Sequence, residues 1–501
     1  MARALMFQGT GSDVGKTVLV AGLCRAARNR GLHVLPFKPQ NMSNNAAVAD
    51  PDEAGRGGEI GRAQWLQALA CGVAPHVDFN PVLLKPQAGG NAQAVVHGKA
   101  RFTASAREYQ ARKRELLGAV MESFGRLCAR ADLVLVEGAG SPAEINLRAH
   151  DIANMGFAAA AGVPVVMVGD IDRGGVIASL VGTHAVLDAA DRARIKGYVV
   201  NKFRGDVSLF AEGIAAIGRH TGWPGYGVLP FLDAAARLPA EDSVALDRPD
   251  RSARGAIRIV ALRLPHIANF DEFDALKAEP GVDFAFLPAG ERLPADAALV
   301  ILPGSKSTIA DLEALRAAGW EQDLRAHVAR GGSVAGICGG YQMLGRGIAD
   351  PAGVDGPPRT VAGLGLLDVG TVMAGEKTVR NCEAVTADGR RVSGYEIHMG
   401  RTEGPDCARA PFSVGGFANG AASADGRVWG CYVHGLFDND AWRRDVLARL
   451  GARAGDGAFR DRTEAALNDI AAAMERHLDV AALLAAAAPV SVSGRQSSFP
   501  D

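Results

Sequence analysis

The chain has 501 residues, which is too long for one ordinary hydrophobic core and predicts about two to four domains. Its 48% apolar and 22% charged residues are typical of a globular protein, and a net charge of −1 excludes a general electrostatic field for nucleic acid. Seven scattered cysteines with no CxxC pair argue against a disulfide scaffold and a zinc ribbon, and they favour a reducing, cytoplasmic setting.

The first half of the chain alternates short apolar runs with helical patterns. In chain order the apolar runs are "ALMF", "HVLPF", "LVLVEG", "VPVVMVGD", "IKGYVVN" and "GYGVLP". Such runs, bounded by Gly or Asp and separated by helix-length segments, predict buried parallel strands in an α/β fold. The clearest helix is predicted over Ala104–Arg130, where Leu116, Leu117, Val120 and Phe124 follow the helical period.

A second alternating pattern begins after a stretch rich in charge and proline. Its apolar runs are "IRIVAL", "VDFAFL", "AALVILPG", "GGSVAGICGG" and "RVWGCYVHG". We therefore predict two doubly wound α/β domains, 1–235 and 256–455, joined by a linker, 236–255. Residues 456–501 are predicted to form a C-terminal helix and a disordered tail.

Neither end of the chain has the pattern of a membrane segment. The N-terminal apolar residues run straight into "GTGSDVGKT", unlike a signal peptide, and the Ala-rich "VAALLAAAAPVSV" is too short and too broken by proline to span a bilayer. We expect a soluble protein with no membrane partner. The sequence leaves the oligomeric state open, a homo-oligomer included.

The stretch "GTGSDVGKT", Gly9–Thr17, has the features of a phosphate-binding loop. It follows a predicted strand and opens a predicted helix, although the strict GxxxxGK[ST] spacing would require glycine at Thr10. Backbone N–H groups around Gly11 and Gly15 attract phosphate oxygens, Lys16 adds a charge, and the hydroxyl of Thr17 is a magnesium ligand. An ordinary turn from strand to helix is the alternative.

Two later strand ends supply further polar groups. Glu137 ends the run "LVLVE", where a carboxylate beside a phosphate loop holds magnesium directly or through water. Asn201 ends the run "IKGYVVN" and is predicted to face the base of a nucleotide. Capping of a turn is the alternative for such acids, and it is a stronger alternative for Asp170 than for Glu137.

The segment Gly336-Ile-Cys-Gly-Gly340 has the shape of a nucleophile elbow around Cys338. Its glycines permit the tight turn, and a helix N-terminus there stabilises a thiolate. An isolated cysteine is more often an inert core residue, but core strands gain nothing from flanking glycines. Cys338 is therefore the candidate nucleophile.

A cysteine nucleophile needs a base and an oxyanion site. His434, at the end of the run "CYVH", is the candidate base. On its own it would be read as a core histidine, and it becomes a candidate only as the partner of Cys338. The loop containing Gly304 and Ser305 is the candidate for one oxyanion N–H, and Gly339 for the other. Gln342, in the helix after the elbow, is assigned with them to glutamine binding.

The order of phosphate loop, cysteine elbow and histidine resembles the glutamine-dependent amidotransferases of the cobalamin pathway over nearly the whole chain. The most specific segments are "FKPQNMSNNAAV", "GEIGRAQ", "NPVLLKP", "SAREY", "GYEIHMGRT" and "YVHGLF". The first half looks like dethiobiotin-synthetase-like phosphate-loop proteins, in which Thr10 is expected, and the second half like a class I glutaminase. Many class I glutaminases carry His-x-Glu, but Leu436 stands here, so we expect a Cys338–His434 dyad, with Asp438 as a conceivable orienting group.

The resemblance implies the reaction and its substrates. ATP and Mg²⁺ would activate carboxylates, L-glutamine would supply ammonia, and the acceptor would be adenosylated cobyrinic acid a,c-diamide, amidated at its b, d, e and g carboxylates. The acceptor would lie in a wide cleft lined by polar side chains, namely Gln40, Asn41, Asn44, Glu59 and Arg62. Without the resemblance, this cluster would be read as a solvated loop.

Three alternatives stay open. One is the related synthase that makes the a,c-diamide, since it shares both domains. Another, from a different class, is a phosphate-loop switch ATPase of the partitioning type, which has no use for Cys338. The third is a glutaminase-like scaffold without catalysis, which the departure at Leu436 favours.

Overall fold

The structure is a computed structural model that describes residues 1–239, 257–373 and 376–490. Residues 240–255 of the predicted linker and residues 491–501 of the predicted tail lie outside these ranges. All seven cysteines are free thiols, as expected. Within the described ranges, no helix combines the length and the apolar character that crossing a membrane requires.

The N-terminal domain contains one central sheet and two smaller ones. Its strands are Arg3–Gly9 (β1), Val34–Phe37 (β2), Gln40–Met42 (β3), Ala46–Ala49 (β4), Gly58–Gly61 (β5), Val82–Pro86 (β6), Asn91–Val96 (β7), Lys99–Ser105 (β8), Leu133–Glu137 (β9), Val165–Asp170 (β10), Ile195–Phe203 (β11) and Gly225–Pro230 (β12). The central sheet has the order β12-β11-β10-β1-β9-β2 with parallel pairing, so the six predicted strands are confirmed.

Both faces of the central sheet are covered, which explains why its strands are continuously apolar. Along β1, Ala4 and Met6 belong to one buried cluster, whereas Leu5 and Phe7 belong to the cluster on the opposite face. The helices of this domain are Lys16–Asn29 (α1), Arg62–Cys71 (α2), Ala106–Cys128 (α3), Met155–Ala161 (α4), Val176–Val186 (α5), Ala189–Arg194 (α6) and Ala211–Thr221 (α7).

Helix α3 is the predicted long helix, and it begins where a capping box forms. The backbone N–H of Glu108 donates to Ser105 Oγ, and the Glu108 carboxylate accepts from the Ser105 N–H at 2.8 Å. Leu116, Leu117, Val120 and Phe124 are buried on its inner face. The periodicity therefore identified both the helix and the face that packs against the sheet.

The two smaller sheets carry the segments that reach the second domain. One has the order β3-β6-β7-β8, and the other is the antiparallel pair β4-β5. Since β3 pairs with β6 in parallel, Gln40–Met42 lies beside Val82–Pro86.

The C-terminal domain is also α/β. Its strands are Ile257–Leu262 (β13), Ile267–Ala268 (β14), Val282–Leu287 (β15), Ala297–Leu302 (β16), Gly304–Ser305 (β17), Ser333–Ile337 (β18), Gly347–Asp350 (β19), Arg359–Ala362 (β20), Gly370–Val372 (β21), Thr378–Thr386 (β22), Arg391–His398 (β23), Arg401–Glu403 (β24), Phe412–Val414 (β25), Phe417–Asn419 (β26), Ala421–Ala422 (β27), Val428–Cys431 (β28) and Val433–His434 (β29). Its helices are Asp274–Lys277 (α8), Thr308–Ala317 (α9), Trp320–Ala329 (α10), Gly339–Leu344 (α11) and Asp440–Arg449 (α12). The main sheet has the order β15-β13-β16-β18-β28-β27 and is parallel except at β27. The prediction of two doubly wound α/β domains is confirmed.

After the second domain the chain returns to the first. The predicted C-terminal helix is Phe459–His477 (α13), and it is followed by Val480–Ala485 (α14) and Ala488–Pro489 (β30), which pairs with β1. Helix α13 packs on α1 where Gly22 allows a close approach: a Cβ there would lie 2.4 Å from Met474 Cε. The buried Arg25 also donates to Asn468 at 2.7 Å and pairs with Glu464 at 2.8 Å. The sequence predicted the helix, but not the domain that it covers.

Candidate functional site

The phosphate loop lies between β1 and α1, the position that anion binding at a helix N-terminus requires. Gly15 has a φ of 85°, which favours glycine, and it directly precedes the helix. Lys16 Nζ donates to the carbonyl oxygens of Gly11 at 3.2 Å and Gly140 at 3.3 Å, so it is held over the loop. Gly11, Gly15 and Lys16 thus lie together in one loop, as the sequence predicted.

Asn201 lies beside the phosphate loop and binds its backbone. Its Nδ2 donates to the Val14 carbonyl at 2.9 Å, and its Oδ1 accepts from the Lys202 N–H at 2.9 Å. Both ends of the carboxamide therefore bind backbone. These contacts support the phosphate loop, and the contact of Asn201 with a nucleotide base stays a prediction.

Thr17 and Glu137, the two residues predicted to bind magnesium, lie within hydrogen-bond distance of each other. Thr17 Oγ1 donates to Glu137 Oε1 at 2.8 Å. The same carboxylate also pairs with Lys38 at 2.8 Å and accepts from Gln67 Nε2 at 2.5 Å, and it is 1% exposed. Elsewhere in the described ranges, no group of three His, Cys, Asp or Glu side chains has metal-binding geometry.

Cys338 occupies a strained elbow between β18 and α11. Its φ of 51° and ψ of −107° lie in a backbone region that residues other than glycine rarely adopt. The turn is tight because Gly340 packs on β16, where a Cβ would lie only 2.0 Å from the Leu302 carbonyl oxygen. This geometry directs the thiol of Cys338 into a cavity, as a nucleophile elbow does.

His434 lines the same cavity and is oriented by a carboxylate that the sequence did not reveal. Its Nδ1 lies 3.0 Å from Glu272 Oε1, and both side chains are 1% exposed. The other oxygen of Glu272 accepts from the Gly435 N–H at 3.3 Å. The arrangement therefore favours a Cys338–His434–Glu272 triad over the expected Cys338–His434 dyad. Asp438 instead lies near Arg62, at 3.9 Å.

The electrostatics of His434 follow from this arrangement. Burial alone would lower its pKa, but the Glu272 carboxylate and the hydrogen bond with Cys338 outweigh burial and raise the pKa of His434 to about 10. His434 therefore holds its second proton at neutral pH. Tyr395 stacks on the imidazole at 5.2 Å between ring centroids and limits its movement.

Gly304 and Ser305, two of the three expected oxyanion residues, also line this cavity, and Gly339 directly follows Cys338. The backbone N of Ser305 lies 2.9 Å from the position that a Cβ on Gly339 would take, and a Cβ on Gly304 would lie 3.0 Å from His434 Cε1. Two backbone segments thus converge beside the nucleophile. Gln342 reaches the cavity too, with Nε2 donating to the Met399 carbonyl at 2.8 Å.

Three lysine side chains lie on one wall of the cavity. They are Lys306 and Lys377 from the C-terminal domain and Lys85 from the N-terminal domain. Burial, together with the charges of the other two lysines, lowers the pKa of Lys306 to about 7. Because Glu59 pairs with both Lys85 and Lys377, only part of the positive charge of this wall is available to a ligand that carries a carboxylate.

The expected acceptor-binding set divides into two groups. Glu59 is buried and forms ion pairs with Lys85 and with Lys377, the latter at 2.5 Å. Arg62 is also buried and forms an ion pair with Asp271 at 2.6 Å. These two residues join the domains and do not line an open cleft. The sequence did not indicate this, because the partner of each residue in the other domain is distant in the chain. Their assignment to acceptor binding is therefore corrected.

The other three lie close together in and after β3. Gln40 is half-buried and accepts from the Tyr109 hydroxyl at 2.7 Å, and Asn41 donates to Gln64 at 3.0 Å. Asn44 Oδ1 is buried without a hydrogen-bond partner among the described residues. This group remains compatible with a polar ligand.

The sequence did not reveal two residues that contact His434. One is Glu272, and the other is Asn269, whose Nδ2 lies 3.5 Å from His434 Nε2. Both stand in "ANFDEFD", where acidic residues alternate with aromatic ones. No local spacing connects this segment to His434. Its mixture of buried aromatic residues and acids was the only available signal.

Comparison with known proteins identifies both halves of the chain. Residues 5–245 match the family described as the CobQ/CobB/MinD/ParA nucleotide binding domain, and residues 258–442 match the CobB/CobQ-like glutamine amidotransferase domain. A protein of Rhizobium johnstonii named cobyric acid synthase is 61% identical over 96% of this chain and 97% of its own length. Proteins with the same name from Brucella suis biovar 1 and Rhizobium etli are 60% and 62% identical, over 97% and 96% of this chain and 100% and 98% of their own lengths. Since such relatives match both domains along nearly their full length, the chain belongs to the cobyric acid synthase family of glutamine amidotransferases.

Proposed function

We propose that the protein catalyses the ATP- and glutamine-dependent amidation of the b, d, e and g carboxylates of adenosylcobyrinic acid a,c-diamide, giving adenosylcobyric acid. The observation that carries this proposal is the joining of a Cys338–His434–Glu272 triad to a phosphate-loop domain through buried contacts. The names of the close relatives support the choice of acceptor. A reaction that consumes ATP and free glutamine fits the cytoplasm.

The C-terminal domain supplies ammonia. The Cys338 thiolate attacks the side-chain amide carbon of glutamine, and the oxyanion is stabilised by backbone N–H groups around Ser305 and Gly339. His434 gives its proton to the leaving nitrogen, and neutral ammonia departs, leaving a thioester. His434 then takes a proton from water, which hydrolyses the thioester to glutamate. The wall of the cavity that carries Lys85, Lys306 and Lys377 would bind the α-carboxylate of glutamine.

The N-terminal domain activates the acceptor. A carboxylate is a poor electrophile because its leaving group would be oxide, so the γ-phosphoryl group of ATP is transferred to it, and ammonia displaces phosphate from the acyl phosphate. Lys16 and the loop N–H groups bind the phosphate oxygens during this transfer. Thr17 and Glu137 are oxygen donors of the kind that Mg²⁺ takes beside substrate phosphates, and they would hold it here. Bound Mg²⁺ neutralises charge on the phosphates.

The acceptor would bind beside β3. Gln40, Asn41 and Asn44 offer amide groups there, and the unpartnered buried Oδ1 of Asn44 is an available acceptor of hydrogen bonds. Such groups suit the peripheral carboxylates and amides of a corrinoid.

Mass spectrometry tests the acceptor. Purified protein with ATP, glutamine and the a,c-diamide should give a product that carries four further amides, and an unchanged mass would refute our choice. Conversion of unamidated cobyrinic acid to the a,c-diamide alone would favour the related a,c-diamide synthase.

A cysteine variant tests the division of labour between the domains. Cys338→Ala should lose glutamine-dependent amidation but keep amidation with ammonium salts at alkaline pH. Intact glutamine hydrolysis in this variant would instead favour a phosphate-loop switch ATPase. Hydrolysis absent from the unaltered protein, with ATP still bound, would favour a glutaminase-like scaffold.

A further inference from the structure

The carboxylate of the triad lies on a short turn that the other domain holds. Glu272 belongs to the 3₁₀ turn Phe270–Phe273, which begins after Asn269, a residue with a φ of 55°. A non-glycine residue in this region persists only where its surroundings fix it. The contacts around Asn269 therefore decide where Glu272 is placed.

Asn269 and Asn45 exchange hydrogen bonds across the domain boundary. The Phe270 N–H donates to Asn45 Oδ1 at 3.2 Å, and the Ala46 N–H donates to Asn269 Oδ1 at 3.0 Å. Both asparagines are buried, at 0% and 2% exposure. The exchange resembles a pair of ladder hydrogen bonds and fixes the start of the turn against the N-terminal domain.

An ion pair fixes the next residue of the turn. Arg62 Nε lies 2.6 Å from Asp271 Oδ2, with side-chain exposures of 7% and 0%. The Arg62 N–H also donates to the Asn45 carbonyl at 3.1 Å, so the two contacts form one unit. Because a buried carboxylate without its cation is costly, Asp271 is held strongly in this position.

We propose that Asn45 and Arg62 of the N-terminal domain are positioning residues for glutamine hydrolysis, because they hold the turn Phe270–Phe273 so that Glu272 orients His434. The proposal rests on the glutaminase activity proposed above, but not on the identity of the acceptor. Asn45 follows β3 and Asn44 in the chain, so the segment that would meet the acceptor continues directly into the contact that sets the triad.

The test measures steady-state glutamine hydrolysis by full-length protein, without corrinoid, across a range of pH. Asn45→Ala should lower kcat about 2- to 10-fold with a smaller change in KM, since it removes one buried hydrogen bond that acts on the base and not on substrate. Arg62→Met should do the same more strongly, and Arg62→Lys, which keeps a cation for Asp271, should recover part of the loss.

A shift in the pH profile distinguishes positioning from a general loss of folded protein. The ionisable groups around His434 are Glu272 and Asp271 on the turn, Cys338 at the elbow and Tyr395 on β23. If Glu272 moves away, the alkaline limb of the kcat/KM profile should move to lower pH. Unfolding would reduce the amplitude and leave the limb in place.

Asn381→Ala is the matched control. It removes a domain-bridging hydrogen bond, Asn381 Nδ2 to Asp50 Oδ1 at 2.9 Å, that does not involve the turn. This control should keep both kcat and the pH limb. Unchanged kcat and pH limb in folded Asn45→Ala and Arg62→Met would overturn the inference. No hydrolysis by the unaltered protein would instead refute the proposed function.

Discussion

The Glu272→Gln variant tests whether glutamine hydrolysis uses a Cys338–His434–Glu272 triad or only a Cys338–His434 dyad. The substitution keeps the size of the side chain but converts one oxygen to NH₂. In the structure one oxygen faces His434 Nδ1 at 3.0 Å and the other faces the Gly435 N–H at 3.3 Å. The new NH₂ group, itself a donor, must therefore face either the Gly435 N–H or the His434 Nδ1–H. In the second case His434 can relieve the clash only by moving its proton to Nε2, which is the wrong tautomer for a base at that atom.

The magnitude follows from the loss of a buried, charge-assisted hydrogen bond. Such bonds contribute about 1.5–3 kcal/mol, and 1.36 kcal/mol corresponds to a factor of ten. We therefore expect kcat for glutamine hydrolysis to fall about 10- to 150-fold, with little change in KM. Without the carboxylate the pKa of His434 should also fall, because Glu272 is the largest influence that raises it.

The assay is glutamate release at saturating glutamine, paired with alkylation of Cys338 by a glutamine analogue. Glu279→Gln is the matched control, because Glu279 is equally buried, pairs with Arg443 at 2.6 Å and accepts from the Gly455 N–H at 2.6 Å, but does not line the cavity. It should lose stability and keep kcat. A folded Glu272→Gln protein with unaltered kcat would refute the triad.

Three further outcomes are expected. Lys16→Met should lower ATP-dependent amidation about 10²- to 10³-fold while glutamine hydrolysis persists, as product analysis and glutamate release would show. Met474→Ala should lower the free energy of unfolding in urea by about 2–5 kcal/mol, because Met474 is fully buried against α1, whereas Met474→Leu should cost less than about 1.5 kcal/mol. Since the folded pKa of His434 is raised to about 10, its stabilising contribution is complete below pH 6.5 and is lost as pH rises toward 10, so stability should fall more over that range in the unaltered protein than in His434→Asn.

Much of the fold was predictable because its strands are buried on both faces. A strand such as Leu133–Glu137 is continuously apolar until its functional carboxylate, so both the element and its polar end stand out in the sequence. The elbow at Cys338 was recognisable for a similar reason, since glycines mark a tight turn. Local patterns of this kind carry their own signal.

What could not be predicted depends on partners distant in the chain. Arg62 and Glu59 look like solvated polar residues until Asp271 and Lys377 are placed against them. Glu272 likewise gains its role only through the fold, because no spacing rule links it to His434. Pairing across a domain boundary leaves no periodicity in the sequence.

The return of α13 and β30 to the first domain changes how the chain should be divided. Topologically, the glutaminase unit is an insertion within the phosphate-loop unit, which is completed only by the last helices and strand. The inserted unit is tethered at both of its ends, so wide separation of the two active sites is restricted. A fragment that stops before α13 would expose the face of α1 around Gly22, so cutting the gene at the first boundary would not yield two self-sufficient proteins.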